Sequence, residues 1–88
     1  MRDQSIYRLI GIRLRARRRA LDLTQREVAL GCGLTFSQIQ KYEAGIVAMP
    51  AARLVVLARV LETTLSELAG GMEAVADLRP DEARPVAA

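Results

Sequence analysis

Three short polar signatures divide this chain before any apolar pattern is considered. Thr24-Gln25-Arg26-Glu27, Thr35-Phe36-Ser37-Gln38 and Thr64-Leu65-Ser66-Glu67 each set a threonine three residues ahead of a glutamate or glutamine. In such a box the hydroxyl accepts from the third backbone N–H of a new helix. The longer side chain reaches back and accepts from the threonine's own N–H. Each box therefore opens a helix, and Gly33, Gly45 and the Gly70-Gly71 pair stand where helices take a left-handed stop. Helices this short are unstable alone and must be held by packing.

The rest of the chain fits around these boundaries. Ile6, Ile10 and Leu14 recur every four residues, which predicts a first helix over 5–20, broken at Asp22 and Leu23. The second helix runs from the Thr24 box to about Cys32, and the third from the Thr35 box to about Ala44. Pro50 suits the first turn of a fourth helix over about 50–62, and the Thr64 box opens a short fifth. The expected fold is all-α, with five helices packed in one domain over 1–70. Beyond it, 71–88 is rich in alanine, proline and acid, with Pro80 and Pro85, and is expected to be a flexible tail with one weak turn around 73–78.

Composition narrows the chemistry. The chain is 51% hydrophobic but only 3% aromatic, so the core must be aliphatic, which suits packed helices. With one cysteine and no histidine, neither an internal disulfide nor a zinc site is expected. No apolar run approaches the ~18 residues of a membrane span, and the N-terminus lacks a signal-peptide layout, so a cytoplasmic protein without membrane contact is expected. There is no glycine-rich phosphate loop either, so no catalytic residues, cofactor or enzyme activity are expected. The net charge of +3 is unevenly placed: seven arginines and a single acid fall in the first twenty residues. Such asymmetry suits a polyanionic partner, although a merely solvated helix face would look the same.

The connection between the second and third helices is about three residues long and contains Gly33. It forbids an antiparallel pair and produces a helix-turn-helix, whose second helix can enter the DNA major groove. At ~100° per residue, Ile39, Tyr42 and Glu43 of the third helix share one side. Ser37 and Lys41 lie opposite, flanked by Gln40 and Phe36. A hydroxyl, an amide, an ammonium and a phenyl ring on one face can meet phosphates, base edges and thymine methyls.

Three stretches in this region resemble the Cro/cI-type (XRE-like) helix-turn-helix family that includes lambdoid phage repressors. They are Thr24-Gln25-Arg26-Glu27-Val28-Ala29, Gly33-Leu34-Thr35-Phe36-Ser37-Gln38-Ile39 and Lys41-Tyr42-Glu43-Ala44-Gly45. The opening Ile10–Arg15 and the later Leu57-Ala58-Arg59-Val60-Leu61 and Leu65-Ser66-Glu67-Leu68 extend the resemblance over about 5–70. It implies a lambda-repressor-like fold and sequence-specific binding of double-stranded DNA by a small, cytoplasmic, prokaryotic or phage-encoded transcriptional regulator, a repressor by preference. It further implies that Gln25 touches a phosphate or the adjacent base, and that Thr35, Phe36, Ser37 and Lys41 read bases. Phe36 cannot hydrogen-bond, so it is expected against a thymine methyl or a sugar, unless it folds back into the core.

Arg18 falls beside Leu14 on the apolar side of the first helix, and Glu43 beside Ile39 on the inner side of the third. An unpaired charge would be costly in either place, so the two are expected to pair; the resemblance implies the same. Arg13, Arg15, Arg17 and Arg19 remain phosphate candidates or solubilising charge. The chain departs from the family at Ile46-Val47-Ala48-Met49, where a phosphate-gripping lysine or arginine is usual; Arg53 is expected to compensate. The fourth helix is apolar nearly all round, and Met49, Val56 and Val60 are expected to form a two-fold dimer interface reading a palindromic operator. The tail covering that patch is the alternative. A protein-interaction module, or an antitoxin holding a protein partner, is the competing function. Cys32 is expected to be half-buried packing.

Overall fold

In a computed structural model that describes residues 2–71, five helices follow one another: α1 (Arg2–Ala20), α2 (Gln25–Cys32), α3 (Phe36–Ala44), α4 (Ala51–Val60) and α5 (Leu65–Ala69). Of the tail expected over 71–88, Gly71 is among the described residues, while the rest, with its turn around 73–78, lies outside them. The first helix starts earlier than periodicity suggests, at Arg2, and the fourth is trimmed to Val60. No helix among the described residues is long and apolar enough to cross a membrane.

The capping boxes at Thr24 and Thr35 close in both directions. Glu27 N–H donates to Thr24 Oγ1 at 3.0 Å, and Thr24 N–H donates to Glu27 Oε1 at 2.8 Å. The equivalent pair at Thr35 and Gln38 measures 3.0 and 2.9 Å. At Thr64 only half of the box forms, with Glu67 N–H donating to the hydroxyl at 3.1 Å.

The stops also share a mechanism. After α1, α2, α3 and α4 a residue turns to positive φ, and the next N–H reaches back five residues to a helix carbonyl. These bonds are Leu23 to Arg18 O (3.0 Å), Leu34 to Ala29 O (2.9 Å), Ile46 to Lys41 O (3.2 Å) and Thr63 to Ala58 O (2.9 Å). The turning residue is glycine at 33 and 45, both with φ 69°, but Asp22 (φ 58°) and Glu62 (φ 55°) do the same work with a side chain attached.

The core is aliphatic, as composition requires: Ile10, Leu14, Val28, Ala29, Ile39, Leu57, Ala58, Leu61 and Leu68 are buried, joined by Tyr42 and Met49. Every helix contributes. The first helix packs on α3 and α5, while α2 packs on α3 and α4. Two glycines let α1 and α3 meet backbone to backbone. A Cβ at Gly11 would collide with the Glu43 and Tyr42 carbonyl oxygens, and one at Gly45 with the Arg8 backbone.

One interface expectation is corrected here. Met49 is only 5% exposed because the loop after α3 folds it into the core. Its side chain fills this chain's own interior and has almost no surface to offer a second copy.

Candidate nucleic-acid interface

The outer face of α3 follows from its inner one. With Ile39 and Tyr42 buried, the residues half a turn away face solvent, and Ser37, Gln40, Lys41 and Ala44 are all exposed. They sit at i, i+3, i+4 and i+7, one continuous stripe. Thr35 is exposed at the head of this stripe, but its hydroxyl already accepts from Gln38 N–H. Its O–H hydrogen and a second lone pair remain for an outside partner.

Arg18 and Glu43 meet in a two-pronged pair beneath this helix. Arg18 Nε donates to Glu43 Oε2 at 2.6 Å and Nη2 to Oε1 at 3.1 Å, with side chains only 11% and 6% exposed. The third guanidinium nitrogen donates to Leu23 O at 2.9 Å. Hydrogen bonding to Glu43 holds the Arg18 pKa above its ordinary value, against a smaller opposing effect of burial. The carboxylate also accepts from Gln25 Nε2 at 3.0 Å, so the start of α2, the end of α3 and the end of α1 converge on one group. Gln25 is therefore half-buried with its amide N–H engaged inside the protein, where the resemblance implied contact with DNA. Its amide oxygen and second amide hydrogen are left to face a ligand.

Phe36 is half-buried and stands outside the core cluster. The Arg26 guanidinium carbon lies 4.2 Å from its ring centroid, a cation–π contact that links the first turns of α2 and α3. Both residues line a cleft of about 540 Å³ bordered by Arg15, Arg18, Arg19, Thr24 and Gln25, with Asp22 as the one acid. The Thr24 box leaves the Gln25 and Arg26 backbone N–H groups without intrahelical acceptors, and a helix N-terminus of this kind attracts anions.

The remaining arginines separate by role. Arg13 Nη1 donates to the Gly70, Leu68 and Glu67 carbonyls at 2.8, 3.3 and 3.3 Å, closing the end of α5. Arg17 closes α4, with Nε on Leu61 O at 2.8 Å and Nη2 on Glu62 O at 2.9 Å. A cation at a helix C-terminus neutralises both orphan carbonyls and the negative end of the dipole. Arg15 and Arg19 are exposed and border the cleft. Arg53 is half-buried and donates to the Tyr42 hydroxyl at 2.6 Å, which ties α4 to α3.

Sequence reasoning missed the Arg26–Phe36 contact and the capping work of Arg13 and Arg17. The four-residue spacing of 13 and 17, which puts both on one face of α1, was the available signal. Nothing in the spacing of 26 and 36 announces theirs.

On the fourth helix, Val55 and Val56 are 45% and 41% exposed, and Leu65 at the start of α5 is 44% exposed. Val60 is only half-buried and lies against Gly31 of α2. Ile46 is exposed, while Cys32 is half-buried and burial pushes its thiol pKa up.

A model of the helix-turn-helix family matches residues 14–68. An uncharacterized HTH-type transcriptional regulator of Sinorhizobium medicae (strain WSM419) is 39% identical over 57 residues, covering 65% of this chain and 41% of that protein. A Rhizobium meliloti (strain 1021) regulator of the same description has the same identity and coverage. An uncharacterized transcriptional regulator in the ATPase CF(0) region of Rhodospirillum rubrum is 39% identical over 64 residues, covering 73% of this chain and 59% of that protein. The chain thus spans about two fifths to three fifths of the length of these relatives. No solved structure gives a significant match.

Proposed function

The chain belongs to the XRE-like helix-turn-helix family, and on that premise we propose that it binds double-stranded DNA sequence-specifically as a transcriptional regulator. The observation that carries this reading is the exposed stripe Ser37, Gln40 and Lys41 on α3, set beside a cleft edged by Arg15, Arg19 and Arg26. Polar groups for base edges and cations for phosphates lie on adjoining surfaces, which is the division of labour a groove reader needs. Lys41, Ser37 and Gln40 read base edges, Thr35 donates its hydroxyl hydrogen, and Phe36 meets a thymine methyl. Gln25 takes part through its amide oxygen and the N–H of its backbone. Arg53 keeps donors beyond its bond to Tyr42 and supplies the phosphate contact that the uncharged 46–49 loop lacks.

The active species is a homodimer on a palindromic operator, acting as a repressor. Val56 and Val60, together with Val55 and Leu65, supply the two-fold contact; Met49 takes no part. Selection from a random duplex pool at low salt, followed by affinity measurements over a salt series, tests both claims. A recovered palindrome whose base preference relaxes on Lys41→Ala supports them. No enrichment above background at ~50 mM salt, where phosphate contacts are strongest, rejects them. It would favour a protein-interaction module, the antitoxin type included, for which the uncharged loop with exposed Ile46 is the supporting observation.

A further inference from the structure

Phe36 occupies the first position of α3, where a side chain without hydrogen-bonding groups can recognise DNA only by shape and apolar contact. A lone half-exposed ring on a helix N-terminus samples several rotamers, and each would present a different edge. Here one face of the ring is already taken by Arg26, whose guanidinium carbon stands 4.2 Å from the centroid. Arg26 is exposed, sits in the first turn of α2, and makes no ion pair or side-chain hydrogen bond among the described residues. The contact over the ring is thus the interaction that holds the Arg26 guanidinium among the described residues. A guanidinium lying over a ring keeps its N–H donors at its own edges, pointing away from the ring.

From this geometry we propose that Arg26 is the positioning residue for Phe36. It holds the ring in a single orientation, so that α3 discriminates a 5-methyl pyrimidine at one base pair of each half-site, while its own edge donors bind the neighbouring phosphate. The inference rests on the DNA-binding reading above, which already sets Phe36 against a thymine methyl, and adds to it the residue that fixes the ring for that target (5-methylcytosine would serve equally). Arg15 and Arg19 border the same cleft, but the cation over the ring is that of Arg26, so they serve only as charge.

The test uses the selected operator with each thymine replaced in turn by deoxyuridine, which removes the methyl and nothing else. For the unmodified protein one thymine per half-site should be sensitive, with affinity falling about fourfold on loss of a methyl-sized apolar contact. In Arg26→Gln that sensitivity should vanish, as in Phe36→Ala, and Arg26→Lys should restore it only in part. Arg15→Gln should weaken binding to methylated and unmethylated sites equally, with a shallower salt dependence. Arg26→Gln behaving like Arg15→Gln, with the deoxyuridine penalty intact, would make Arg26 a phosphate contact alone and overturn the proposal. So would an operator with no deoxyuridine-sensitive position, although specific binding itself would then stand. Failure of the unmodified protein to select any operator would remove the DNA-binding reading and this inference together.

Discussion

At the scale of single residues, the Arg18–Glu43 pair matters most because it is nearly closed off from water and shared by three helices. Each charge is satisfied by several partners: Glu43 by Arg18 and Gln25, Arg18 by Glu43 and Leu23 O. Removing one side strands the other in a low-dielectric setting. Arg18→Met, which keeps the stem and deletes the charge, should lower unfolding free energy by about 3 kcal/mol in urea denaturation. The double variant Arg18→Met/Glu43→Leu should recover a large part of that loss, since an apolar pair leaves no buried charge. Equal loss in the double variant would mean that the pair contributes through attraction and not through mutual neutralisation. The need for a partner was legible from helix phase alone, because both charges fall on apolar sides. That Gln25 joins them was not, because its position on α2 gives no distance to Glu43.

At the scale of elements, starts and stops are set differently. The starts of α2, α3 and α5 rest on local boxes and could be placed to within a residue, whereas α1, which has no box, begins at Arg2, ahead of its apolar periodicity. Two of the stops, Asp22 and Glu62, carry side chains in a left-handed conformation that costs an L-residue roughly 1–2 kcal/mol. Glu62 is exposed, and its carbonyl oxygen, not its carboxylate, is what Arg17 binds. Glu62→Gly should therefore raise stability by ~0.5–1 kcal/mol, read as a higher urea midpoint. Gly11 gives the opposite case. Alanine is the better helix former by about 1 kcal/mol, yet Gly11→Ala should destabilise by roughly 2 kcal/mol. Its Cβ would meet the carbonyls of Tyr42 and Glu43, which are backbone and cannot swing aside. A melting temperature at or above that of the parent would show that α1 can retreat from α3 at little cost.

At the scale of the whole molecule, the question is how many copies act together. Val55, Val56 and Leu65 are 45%, 41% and 44% exposed, which leaves apolar surface open on α4 and at the start of α5. In sedimentation equilibrium at tens of micromolar, the protein should run as a dimer. Val56→Glu should give a monomer with an unchanged helical circular dichroism spectrum, because Val56 is not in the core. In that variant DNA affinity should fall because dimerisation is lost, while single half-site contacts persist. A monomeric parent would reject the two-fold arrangement and leave the apolar face of α4 to another partner.

Local sequence was enough for the number of helices, the starts of α2, α3 and α5, the aliphatic composition of the core and the stripe carried by α3. All of these depend on contacts between residues within a turn or two, whose geometry is the same in any helix. Tertiary structure alone decided which arginine does what. Arg13 and Arg17 cap α5 and α4, and Arg26 stacks on Phe36, although their sequence positions make them simply basic; Arg18 alone showed its pairing in the helix phase. It also decided that Met49, in an irregular loop with no periodicity to read, points inward. Guanidinium groups reach far along flexible stems, so their partners are set by how the helices cross, and the crossing here hinges on the close approach at Gly11 and Gly45.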